Sequence, residues 1–169
     1  MYTYTLQHDN GVTLKVAEGY KPVALTTASG TLNGTAVDRA PTASTASDVV
    51  ADTYNWMKVI VPLSASIGTA VTSSVTVKVQ DADSSTGIFA DYAFKDGSTV
   101  GTVSVGSTAS TAAQSALHAV SSFDVDLHAA KRYVRVVLGE ALTTATTVTA
   151  TGVVSATVLF GGAVNYPVA

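Results

Sequence analysis

Residues 73–83, Ser-Ser-Val-Thr-Val-Lys-Val-Gln-Asp-Ala-Asp, alternate apolar and polar side chains along their length. A pleated strand puts Val75, Val77 and Val79 on one face and Thr76, Lys78 and Gln80 on the other, whereas a helix would scatter them. The stretch YNWMKVIVPL (54–63) repeats the pattern: Met57, Val59, Val61 and Leu63 share one parity, and Trp56, Lys58, Ile60 and Pro62 the other. In AKRYVRVVLGE (130–140), Val134, Val136 and Leu138 share a face opposite Tyr133, Arg135 and Val137. Residues 87–106, around Asp96-Gly97, and 146–162, ending at Gly161-Gly162, supply further strands. Turn signals recur at short spacing, which predicts an all-β fold: a single antiparallel β-sandwich, jelly-roll or Ig-like, with an extended N-terminal arm.

Composition agrees. Hydrophobic residues make up 47% of the chain but aromatics only 7%, so the apolar content is mostly alanine and valine, and β-branched side chains suit pleated sheets. Only STAAQSALHAVSS (110–122) has helix-like content, and its flanking serines and threonines weaken that reading. No long amphipathic helix is expected anywhere. The length of 169 residues fits one core. With no cysteine, disulfides, thiolate nucleophiles and cysteine-based zinc sites are excluded.

The N-terminal third reads differently. Residues 1–45 are expected to form an arm, with a short hairpin around Asn10-Gly11, and residues 46–169 the sandwich domain. Tyr2, Tyr4, Leu6 and Tyr20 would be odd residues to leave in water, so they are candidates for contacts with a neighbouring subunit. The small, polar segment that follows, with Gly30, Gly34 and Pro41, cannot bury much surface by itself. The start of the chain lacks a signal-peptide pattern, and no apolar run has the length of a membrane helix, so cytoplasmic synthesis and no membrane partner are expected.

Sites for chemistry find little support. Asp81 to Gly87 resembles a calcium loop, but an EF-hand needs glycine at its sixth position and glutamate at its twelfth, where this chain has Thr86 and Tyr92. His8, His118 and His128 share no metal-ligand spacing. There is no G-x-S-x-G elbow and no phosphate-binding glycine loop. No catalytic, metal or cofactor site is expected, and the protein is not read as an enzyme. Lys131, Arg132 and Arg135 crowd one strand in a charge-poor chain. They are expected to pair at a sheet end or at a subunit boundary, with Lys131 and Arg132 at the strand's entrance, within reach of Asp124 or Asp126. The net charge of −3 argues against a nucleic-acid patch.

Two segments carry a resemblance. VTVKVQDADSSTGIFADY (75–92) is similar to a strand, acidic turn and Phe-x-Asp found in small structural proteins of tailed-bacteriophage head gene clusters. FDVDLHAAKRYVRVVL (123–138) resembles their K-R-Y-V-R-V strand, followed here too by a Thr/Ala/Val-rich strand and a Gly-Gly ending. NGTAVDRAPTA (33–43) is a third echo. The resemblance implies a virion component and brings no catalytic or cofactor residues. A tailed-phage major capsid subunit carries a long spine helix, for which this chain has no candidate segment. The expectation is therefore a decoration or cement protein on the capsid surface. Its expected partners are the major capsid protein and copies of itself, with a trimer matching a local axis. A single jelly-roll major capsid protein, a tail-tube or tail-fibre module, and a carbohydrate-binding or adhesin sandwich are the competing readings.

Overall fold

The computed structural model describes residues 14–25, 30–39, 53–69, 71–92, 99–106, 112–142 and 151–162. Ten strands run through them: β1 (Leu14–Ala24), β2 (Gly30–Asn33), β3 (Val37–Asp38), β4 (Trp56–Ile67), β5 (Thr72–Ala82), β6 (Ala90–Asp91), β7 (Thr99–Gly106), β8 (Gln114–Asp126), β9 (Tyr133–Leu142) and β10 (Thr151–Gly161). All pairings are antiparallel.

The expected alternation is what buries the core. Met57, Val59, Val61 and Leu63 of β4 face Val75, Val77 and Val79 of β5 and Val134, Val136 and Leu138 of β9, all buried. Val154, Ala156, Val158 and Phe160 of β10 complete the same layer, with the Tyr54 ring 6.1 Å from that of Phe160. Burying such side chains from both sheets is the main force closing the sandwich.

Strand order defines the fold. One sheet runs β1-β10-β4-β8, and the other runs β2-β9-β5-β6, with β3 also on β9 and β7 also on β5. The first strand lies beside the last, and the chain crosses repeatedly between sheets. This is the wrapped, double Greek-key order of a jelly roll rather than the order of an immunoglobulin domain.

One expectation is corrected. The boundary near residue 45 does not hold for residues 14–39: β1 is ladder-paired with β10 from Leu14↔Gly161 to Ala24↔Val153, and β2 and β3 pair with β9. The physical reason is that β10 and β9 would otherwise present unpaired edges and uncovered core. Ala17, Tyr20, Val23, Leu25, Leu32 and Val37 all pack on that core. Tyr2, Tyr4, Leu6 and the Asn10-Gly11 turn lie outside the described residues, as does Asp96-Gly97. The segment 110–122, whose alanine content hinted weakly at a helix, is a strand from Gln114 onward, because β4 offers β8 a ladder from Trp56↔Asp126 to Ile67↔Gln114. Tertiary pairing overrides the alanine propensity there.

Candidate functional site

The cationic cluster lies where β3, the start of β4 and the β8–β9 turn meet. Its organiser is a residue the sequence reading passed over. Arg39, just after β3, is 2% exposed. Its Nε donates to the Tyr54 carbonyl at 3.1 Å, and one terminal nitrogen donates to Tyr54 O at 2.8 Å and Leu127 O at 2.7 Å. The other terminal nitrogen donates to the carbonyls of Ala130 and Lys131. The planar fork thus spends its five N–H groups on four backbone carbonyls, a task that suits arginine alone. Burial lowers its pKa, while Tyr92, Asp81 and Asp126 act in the opposite direction. Main-chain bonds knit the same corner: Arg39 N to Arg132 O (2.9 Å), Tyr54 N to Arg39 O (3.0 Å) and Leu127 N to Asn55 O (2.8 Å). The available signal was Asp38-Arg39 itself, the sole charged residues between Lys21 and Asp48.

Around this corner Lys131 and Arg132 take different partners from those expected. Lys131 Nζ meets Asp83 at 2.9 Å, and its backbone N–H donates to Asp81 Oδ2, also at 2.9 Å. Arg132 grips the Asp38 carboxylate with Nε and a terminal nitrogen, at 2.8–3.2 Å. Asp124 instead pairs with Lys58 at 2.8 Å, and Asp126 Oδ1 accepts the His128 N–H at 2.9 Å. The side chains of Asp124 and Asp126 are therefore engaged on their own strand's side of the corner.

Arg135 stands apart, on the outer face of the second sheet. It donates two bonds to Gln80 Oε1 (2.8 and 2.6 Å), Gln80 donates to Asp91 (2.7 Å), and Lys78 pairs with Asp91 at 3.2 Å. The Phe89 ring stacks against the guanidinium at 4.4 Å. This polar chain ties β9, β5 and β6 and folds the 83–89 turn onto the sheet. Arg135→Leu should therefore lower unfolding free energy by about 1–2 kcal/mol, the worth of one stacked, hydrogen-bonded guanidinium. Arg132→Gln, at an exposed pair, should shift the denaturation midpoint much less.

Of the remaining candidates, Tyr20 sits half-buried in its own sheet, paired with Ala156. Asp81 is buried and committed to Lys131, and Asp83 points outward to its ion pair. Among the described residues, no three His, Asp or Glu groups converge as metal ligands. Millimolar calcium should accordingly leave the thermal unfolding midpoint unchanged; a rise abolished by Asp81→Ala would refute this.

Two phenols report on the corner's pH response. Burial raises the pKa of Tyr54, and burial aided by the Asp126 carboxylate raises that of Tyr92, whose hydroxyl donates to Asp126 O at 2.9 Å. The unfolded chain ionises its tyrosines first, near their ordinary pKa of about 10. This stability is thus complete below that pH and lost as pH rises through the higher folded values. Denaturant midpoints should fall as pH passes about 10, and Tyr92→Phe should blunt the fall.

No protein family and no curated protein matches the sequence. Among solved structures, the chain overlaps the VP2 subviral particle of infectious bursal disease virus with 10% identity and a TM-score of 0.42, over 91% of this chain and 34% of that one. The Gx strain of the same virus overlaps with 7% identity and a TM-score of 0.41, over 90% and 32%. The chain therefore spans about a third of the length of these capsid structures. At scores this low an overlap reflects packed β-strands and nothing finer.

Proposed function

We propose that this chain is a virion structural protein, a decoration or cement protein that binds the outside of a tailed-phage shell and acts mechanically rather than catalytically. The observation that carries the reading is the jelly-roll strand order, an architecture used repeatedly by capsid and lectin domains. The resemblance to phage head proteins selects the first of these classes. Its two main segments fall on β5 with its acidic turn and on β8–β9, which run through the middle and one edge of the fold. Many weak contacts repeated over a shell add up through multivalency, so such a protein needs no deep pocket. The partners proposed are the major capsid protein and further copies of this chain.

Purified virions decide the matter. Mass spectrometry should find the protein in stoichiometric amounts, and cryo-microscopy should place a jelly roll outside the continuous shell. Density for this fold forming the shell itself, or lying in the tail, would overturn the reading.

A further inference from the structure

Among the described residues, β8 is an edge strand whose one ladder partner is β4. The opposite edge of that sheet, β1, is guarded. Register irregularities interrupt it at Glu18/Tyr20 and Tyr20/Val23, and Lys15, Lys21 and Pro22 stand along it. Bulges, lysines and prolines are the means by which an edge avoids recruiting another chain. Residues 117–125 of β8 contain none of them. The irregularity of β8 lies before Leu117, at positive-φ Ala116.

Pro62 indicates where the backbone of β8 points. It stands opposite Val120 and has no N–H, and the ladder on its other side skips it, running Val154↔Leu63 and then Thr157↔Ile60. The missing donor falls on the β10 side, so Pro62 and Val120 form a non-hydrogen-bonded pair. The N–H and C=O of Val120, and by alternation those of His118 and Ser122, are then directed out of the sheet. The side chains are unfinished too. Leu117, Ala119 and Phe123 pack on the core but are only partly covered, unlike the inward row of β4, and Val120 is 69% exposed on the outer face.

We infer that this edge is completed by β8 of a second copy, antiparallel about a two-fold axis at Ser121. The register sets Ala119 opposite Phe123 and Leu117 opposite Val125, which continues the apolar inner row across the junction. On the outer face Val120 meets Ser122, and His118 meets Asp124. Asp124, the one carboxylate within residues 117–125, thus faces an imidazole and not another acid, and the overlap uses the whole unbulged stretch. The contact is isologous, and it joins two sheets into one. It goes beyond the virion reading and is measured on free protein, so either can fail without the other.

The chain has no cysteine, so single thiols report the register directly. At a non-hydrogen-bonded pair the Cα atoms lie about 4.5 Å apart, within the range a disulfide spans. Full-length Ser121→Cys should oxidise to a covalent dimer at least about tenfold faster than Ser122→Cys, whose thiols are offset along the strand, because the contact holds the former together. Adding Val120→Pro, which removes an outward donor while sparing the β4 ladder, should abolish that advantage. Equal rates for the two thiols, or a Ser121→Cys dimer indifferent to Val120→Pro, would overturn the inference.

Discussion

Arg39→Met should be the most damaging single substitution in the molecule, lowering unfolding free energy by about 4 kcal/mol. Methionine fills a similar volume but donates nothing, so the carbonyls of Tyr54, Leu127, Ala130 and Lys131 lose their charged donor, and the bonds to Tyr54 and Leu127 are buried. Hydrogen bonds to charged groups are worth roughly 1.5–3 kcal/mol each, and partial relaxation keeps the total below their sum. Against a typical stability of about 5–15 kcal/mol, such a loss leaves a marginal domain. Arg39→Lys should recover little, since one ammonium cannot serve carbonyls on both sides of a planar fork. Denaturant unfolding of the two variants beside Arg132→Gln tests the point. If Arg39→Met shifts the midpoint no more than the exposed-pair variant does, the corner is not organised by Arg39.

What the sequence discloses follows from how local the cause is. Alternation is a property of neighbours, so the inward rows of β4, β5 and β9 are legible without any partner in view. Ion pairing is a property of the finished fold. Arg132 chooses Asp38 over Asp124 because β3 is laid beside β9, a neighbourhood set by strand order and not by spacing along the chain. β8 falls between these cases. Leu117, Ala119, Phe123 and Val125 do alternate, but alanine and serine dilute the signal, and a strand so weakly apolar on both faces is stabilised by the β4 ladder. Arg39 escaped notice for a related reason: its partners are backbone carbonyls, which no side-chain motif announces.

Deleting residues 1–45 should abolish cooperative folding and not merely free a docking arm. The deletion takes β1, β2, β3 and Arg39 together. β10 loses its partner from Gly161 to Val153, so a strand built for the sheet interior becomes a bare edge beside core residues such as Val154, Ala156 and Val158. Ala17, Tyr20, Val23, Leu25, Leu32 and Val37 leave the core at the same time. The small, polar character of residues 26–45 does not mark the whole region as a linker. At Gly34 smallness is what lets two sheets approach: its N–H donates to Val136 O at 2.8 Å, and a Cβ there would lie 2.0 Å from the Gly19 carbonyl oxygen and 2.7 Å from that of Val136. Both obstacles are backbone, on β1 and β9, and neither can swing aside as a side chain would. Gly34→Ala should therefore cost about 3 kcal/mol, at the upper end of what overpacking does. Circular dichroism and calorimetry on the truncated chain and on Gly34→Ala give the answer. A truncated protein that melts in one sharp transition, or a Gly34→Ala variant as stable as wild type, would return residues 14–39 to the status of a dispensable arm.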